Sequence, residues 1–224
     1  MVPRVLELRQ SVLTKNDALA RALRTRFHEC GLLTLNWVSS PGTGKTALLV
    51  HLLAALRTAG HNPIALVGDL ETDNDAVRLA RSGAPVRQIQ THGICHLEAQ
   101  MVEDHLKGWN LSDFDFLFIE NVGNLVCPSS YDLGEDVRMV LLSATEGEDK
   151  PLKYPKLFHS ADAAIITKMD LAEPCEFNRD LAAANIHSVC PGVPIFETSA
   201  KREEGIELLC EWIVARRSAL YTEA

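Results

Sequence analysis

The stretch LTLNWVSSPGTGKTALLVHLLAAL, residues 33 to 56, runs an apolar segment into a glycine-containing turn and then into a helix with leucines at helical spacing. A phosphate-binding loop needs that order. The strand delivers the chain, glycines let backbone N–H groups approach an anion, and the helix N-terminus adds the positive end of its dipole. Gly42, Thr43, Gly44, Lys45, Thr46 and Ala47 are therefore the candidate nucleotide contacts. Lys45 is placed to reach β- and γ-phosphate oxygens and Thr46 to ligate Mg²⁺. The first position of G-x-x-x-x-G-K-[ST] is Ser39 here, a departure from the glycine of the pattern.

Working outward, short apolar runs alternate with helical patterns. The runs are LTLNWV (33–38), PIALVG (63–68), VRQIQ (86–90), FDFLFIE (114–120), VRMVLL (137–142), DAAIIT (162–167) and VPIF (193–196). Buried strands separated by helices predict an α/β fold of three layers, a P-loop NTPase architecture with a mostly parallel sheet and helices on both faces. Before it, NDALARALRTRFHECG (16–31) predicts an amphipathic helix with Asn16 as its cap and Gly31 as its stop. The last helix is expected in GIELLCEWIVARRSAL (205–220), and the longest irregular stretch is 121–136.

The 224 residues suffice for one α/β domain, and 46% hydrophobic content fits a globular core. A net charge of -8 argues against nucleic acid as a partner, because phosphate backbones call for clustered Lys and Arg. No run approaches the roughly 20 apolar residues of a membrane span, and no export signal is evident, so a soluble, cytoplasmic protein is expected. Six cysteines in such a chain serve packing or chemistry rather than disulfides.

Two carboxylates close central strands, Asp69 after PIALVG and Glu120 in FLFIEN. Ligands of open α/β sheets bind at these carboxyl ends. Glu120 is the candidate for the Mg²⁺ shell, and Asp69 for ligating Mg²⁺ or orienting the attacking water. A helix cap or turn is the alternative for Asp69. Asp75 is a third candidate in the same acidic turn.

The late strand DAAIIT runs into TKMD (167–170), and ETSAK (197–201) follows the last one. Together they resemble the base-reading loops of GTPases. Asp170 can accept hydrogen bonds from the ring N–H and amine of guanine, a pair that adenine does not offer. Ser199 and Ala200 stand in the supporting turn, with the Ala200 N–H directed to the guanine oxygen, while Lys168 lays its stem against the base. Thr167 replaces the asparagine of N-K-x-D, so one polar contact is lost or altered. Residues 32–224 thus read as a P-loop GTPase domain, with 1–31 as a helical segment packed on it.

Cys95 and His96 are adjacent in THGICHLEAQ (91–100) and begin a helix-like segment after the third strand, and Cys127 lies in the loop after Glu120. Two thiolates and an imidazole suit zinc or nickel, while hard Mg²⁺ belongs with oxygen ligands. Three ligands leave tetrahedral zinc one short, to be filled by water or by a second copy of the chain. His92 is a possible extra ligand. Cys30, Cys175, Cys190 and Cys210 are assigned to packing.

Across SSPGTGKTALL, GDLETDNDA, THGICHLEAQM, IENVGNLVCPSSYDLGE, KPLKYP and TKMDL, the chain resembles the hydrogenase maturation GTPases of the HypB family. The resemblance implies the SIMIBI class of P-loop GTPases, a homodimer formed with GTP, and nickel or zinc at Cys95, His96 and Cys127 near the dimer interface. Implied partners are a nickel-delivery accessory protein and the precursor of the hydrogenase large subunit. Some members carry a cysteine-rich or histidine-rich N-terminal nickel tract, and MVPRVLELRQSVLTKNDALA has neither, so nickel handling is expected to rest on the G-domain site. From the family's KYP motif, Lys153 is the candidate that reaches a partner's nucleotide; a solvated lysine is the alternative.

No residue stands out as a strong general base, so hydrolysis is expected to be slow. The rival readings are a urease-accessory type of metallochaperone GTPase, a nucleotide-independent zinc-binding or storage protein, and a small-molecule kinase. CHLEAQ and NLVCP favour the hydrogenase type.

Overall fold

The computed structural model describes residues 4–69 and 74–222. Residues 1–3 of the N-terminal segment and 70–73 of the acidic turn lie outside the described residues. The strands are β1 Leu33–Ser39, β2 Pro63–Asp69, β3 Val86–Gln90, β4 Phe116–Glu120, β5 Val137–Ser143, β6 Ala163–Thr167 and β7 Ile195–Glu197. They form one sheet in the order β3-β2-β4-β1-β5-β6-β7, every neighbouring pair parallel. All strand carboxyl ends therefore open onto one edge, which carries the site.

The helices are α1 Arg4–Glu29, α2 Lys45–Thr58, α3 Asn74–Ala80, α4 Ala99–Leu106, α5 Lys150–Lys153, α6 Pro155–His159, α7 Arg179–Val189 and α8 Ile206–Thr222. The strands are apolar on both faces because helices cover both. Leu33, Leu35, Trp37, Phe116 and Phe118 meet α2 and α8 on one face. On the other, Ile64, Leu66, Leu117 and Ile119 meet α1 and α4, and Val140, Leu142, Ala164 and Ile166 meet α6 and α7. In α2 the spacing of Leu48, Leu52 and Leu56, all buried, keeps the helix on the sheet and fixes the direction of its N-terminus. Each such leucine stabilises that docking by about 1.5–3 kcal/mol.

Several sequence expectations change, and β7 too starts two residues later than its apolar run, at Ile195. The first helix begins at Arg4, so Asn16 lies inside it and is not its cap. The Asn16 side chain instead caps α4: its Oδ1 accepts the Ala99 N–H at 2.9 Å, while its Nδ2 donates to the Asp132 carbonyl at 2.8 Å. Two long-range bonds on a buried carboxamide outweigh a local cap. The fourth strand starts at Phe116, not Phe114, because the backbone N–H of Asn62 takes the Asp115 carboxylate, which also pairs with Arg217.

Candidate nucleotide and metal site

The phosphate loop leaves β1 and enters α2 through Gly44, whose φ of 99° is left-handed and strains any residue but glycine. Ser39, standing where the pattern has glycine, is fully buried, and its Oγ accepts from Lys45 Nζ at 2.8 Å. Lys45 is itself buried, and desolvation lowers its pKa against the opposing pull of Glu120, Asp75 and Glu146. Thr46 Oγ1 donates to Glu120 Oε1 at 2.7 Å.

Glu120 is 4% exposed, and burial pushes its pKa up to about 7 despite Lys45 and the Thr46 hydrogen bond. Its other oxygen, Oε2, is buried without a hydrogen-bond partner among the described residues. Asp69 and Asp75 share the cavity of about 400 Å³ that these groups line. An orphaned carboxylate oxygen beside a hydroxyl and two further carboxylates is an all-oxygen donor set, which fits Mg²⁺.

Glu146 escaped sequence reading. Its Oε2 accepts from the Ser143 N–H and from Thr43 Oγ1, each at 3.0 Å, so it pins the phosphate loop to the end of β5. The signal was the capping box of SATE (143–146), which the structure forms.

On the base side, Thr167 Oγ1 donates to the Thr43 carbonyl at 2.6 Å and Lys168 Nζ to the Gly42 carbonyl at 2.6 Å. The threonine that departs from N-K-x-D therefore ties β6 to the phosphate loop. Asp170 Oδ1 accepts from Ser199 Oγ at 2.7 Å, which holds its carboxyl below the usual carboxylate range. The Met169 N–H donates to the Thr198 carbonyl at 3.0 Å. Asp170, Lys168, Ala200, Ala47 and Gly44 line a cavity of about 240 Å³. Gly205 closes the supporting turn, since a Cβ there would lie 2.0 Å from the Glu197 carbonyl oxygen.

The donor atoms of Cys95, His96 and Cys127 lie within 4.8 Å of one another, each residue half-buried. The two sulfurs are 3.0 Å apart. Because β2 lies between β3 and β4, the loops after β3 and β4 meet over its end. Contrary to the expectation that they begin a helix, Cys95 and His96 lie in the loop that precedes α4. The His96 ring stacks on Tyr131 with centroids 3.9 Å apart, a support that sequence reading missed. Burial lowers the His96 pKa against the pull of Glu98, whose Oε1 is 3.5 Å from Nε2. Neither ring nitrogen has a hydrogen bond among the described residues. An imidazole that burial biases towards its neutral form, with ring nitrogens lacking hydrogen bonds among the described residues, suits a borderline metal ion beside two thiols.

His92 is not part of this group; it sits in the preceding turn with φ 50°. Lys153, at the end of α5, is exposed, pairs with Asp149 at 2.6 Å and lines neither cavity.

The family model described as CobW/HypB/UreG, nucleotide-binding domain, matches residues 34–197. The hydrogenase maturation factor HypB of Azotobacter chroococcum is 43% identical over 217 residues, 96% of this chain and 70% of that one. The chain belongs to the HypB family. The crystal structure of HypB from Helicobacter pylori in complex with nickel superposes with a TM-score of 0.86 at 42% identity, covering 92% of this chain and 97% of that one. A hydrogenase/urease maturation factor HypB of Helicobacter pylori is 42% identical over 216 residues, 95% of this chain and 88% of that one. The seven-stranded parallel sheet between helix layers is thus the P-loop fold of the HypB proteins, in the SIMIBI class. Among the described residues no helix is long and apolar enough to cross a membrane.

Proposed function

We propose that the chain is a GTP-hydrolysing metallochaperone that carries nickel for [NiFe] hydrogenase maturation, its metal grip set by the bound nucleotide. The observation that carries this reading is the Cys95–His96–Cys127 cluster, whose Cys127 stands on the loop that leaves Glu120, in a HypB-family chain. One polypeptide segment serves both sites.

In this reading Lys45 and the backbone of residues 42–46 bind the phosphates, Asp170 and Ala200 select guanine, and Asp69 orients water. Thr46 and Glu120 hold Mg²⁺, which when bound neutralises charge on the β- and γ-phosphates. Hydrolysis rests on positioning, with turnover below roughly 1 per second in the isolated protein. GTP drives a homodimer in which Lys153 turns from Asp149 to the partner's nucleotide, and nickel or zinc binds near the interface. A nickel-delivery accessory protein is the donor, and the precursor of the hydrogenase large subunit the acceptor.

The test is a titration of Ni²⁺ and Zn²⁺ into protein loaded with GDP or with a non-hydrolysable GTP analogue, following affinity and molecular mass together. The expected result is a nucleotide-dependent change in affinity or stoichiometry that Cys127→Ser abolishes. Binding indifferent to nucleotide and to that substitution refutes the metal switch.

A further inference from the structure

The segment that leaves Glu120 reads E-N-V-G-N, residues 120–124, and its two carboxamides both reach the metal loop. Asn121 is 1% exposed. Its Oδ1 accepts the Leu97 N–H at 3.2 Å, immediately after His96, and its Nδ2 donates to Asn36 Oδ1 at 3.3 Å in β1. Asn124 Nδ2 donates to the Cys95 carbonyl at 3.2 Å, and its Oδ1 accepts the Val126 N–H at 2.9 Å, next to Cys127. The two amides grip the Cys95–His96–Leu97 backbone at both ends.

Three contacts set this grip against the nucleotide site. Asn121 directly follows the carboxylate that Thr46 holds. Between the asparagines, Gly123 lies flat on the phosphate loop, where a Cβ would come 2.8 Å from Pro41 Cα. On the far side, Leu97 packs over Gly68, where a Cβ would come 2.8 Å from Leu97 Cδ2, and Gly68 precedes Asp69. Any shift of Glu120 or of the phosphate loop thus displaces the frame that spaces Cys95 from Cys127. Close-packed contacts of this kind transmit small displacements with little loss.

We infer that Asn121 and Asn124 are positioning residues that carry the nucleotide state from Glu120 to the metal cluster. This rests on the metal-switch reading above and names the atoms through which the switch acts. Asn121 also lines the nucleotide cavity and Asn124 does not; in this inference neither ligates the metal, and each acts through the backbone of the metal loop.

The experiment is a Ni²⁺ titration followed by thiolate-to-nickel charge-transfer absorption, with GDP and with a non-hydrolysable GTP analogue. Wild type is compared with Asn124→Asp, Asn124→Ala and Asn121→Ala. Asn124→Asp keeps the acceptor for Val126 and replaces the donor to Cys95 with a charged oxygen. Asn124→Ala adds no charge near the metal, and both remain available if the buried Asn121→Ala fails to fold. Wild type is expected to show an affinity ratio between nucleotide states of at least about fivefold. In the variants the ratio is expected to fall below about twofold while nickel still binds. A purely structural role would weaken or abolish binding in both states alike, leaving no change in ratio where binding persists, and either result overturns the inference. A wild-type ratio of one overturns the metal switch itself, whereas a sloped wild type with equally sloped variants overturns only the role of the asparagines.

Discussion

The two ends of the site differ in how their polar groups are satisfied. At the nucleotide end short bonds tie the phosphate loop to β6 and β4 and to itself: Thr167 to Thr43 and Lys168 to Gly42 at 2.6 Å, Thr46 to Glu120 at 2.7 Å, Lys45 to Ser39 at 2.8 Å. At the metal end two sulfurs face each other at 3.0 Å and both His96 nitrogens lack hydrogen bonds among the described residues. Ile94 and Val126, beside the two cysteines, are 40% and 61% exposed. Glu120 Oε2 apart, the first end is preorganised by its own side chains, so a ligand replaces bonds that already exist. The second sets two sulfurs against each other beside a histidine whose ring nitrogens lack hydrogen bonds among the described residues, so a metal ion supplies the missing charge. A preorganised site binds its ligand alone, and an incomplete one depends on what holds its frame.

The largest effect that would break this contrast is on Lys45. Its ammonium is buried beside Glu120, so Lys45→Ala removes the cation that phosphates need and leaves the carboxylates unopposed. GTP affinity should fall at least about 100-fold, as truncating one member of a buried charge pair costs about 2–5 kcal/mol. Nickel affinity without nucleotide should stay within about twofold. Fluorescent-nucleotide and nickel titrations on the same variant check both, and a joint collapse would show that the two ends are one site.

Glu120 comes next, because its burial has a pH signature. Its pKa is near 4.5 in the unfolded chain and about 7 in the fold, so the folded state binds the proton more tightly. The contribution is fully present below pH 4.5, is lost as pH rises to 7, and stays lost above, to a total of about 3 kcal/mol. Glu120→Gln should therefore remove that slope and make the nucleotide-free protein more stable than wild type at pH 8, while Mg²⁺-dependent GTP hydrolysis disappears. Urea denaturation of both proteins at pH 5 and pH 8 reads the slope. An equal pH response in the two would mean that Glu120 is solvated and the nucleotide end less rigid than described.

The same contrast explains what the sequence could say. The phosphate loop was legible because its ligands are contiguous and its strand and helix flank it, and the seven strands were legible from their apolar runs, give or take two residues at the ends. Cys95, His96 and Cys127 could be named as a set, but their meeting depends on β2 lying between β3 and β4, which no local pattern states. Asn16 was misread for the same reason: its partners, Ala99 and Asp132, are 83 and 116 residues away. Tyr131, Asn121 and Asn124 stand inside motifs already quoted, yet their roles are contacts across the fold. Glu146 alone left a local mark, in S-A-T-E.

The smallest expected effect tests the departure from N-K-x-D. An asparagine there would be a larger amide; Thr167 offers one hydroxyl, spent on the Thr43 carbonyl and lying 3.4 Å from the Leu142 carbonyl. Thr167→Val keeps the shape and deletes the bond, leaving a buried carbonyl of the phosphate loop without that donor. One such loss costs about 1 kcal/mol, so GTP should bind roughly fivefold more weakly, and Thr167→Ser, which keeps the hydroxyl, should bind within about twofold of wild type. Isothermal titration with GTP and GDP separates the cases. If valine binds as well as threonine, the base pocket and the phosphate loop are aligned by packing alone, and the short bonds that set the nucleotide end apart from the metal end are a consequence of its order and not the cause.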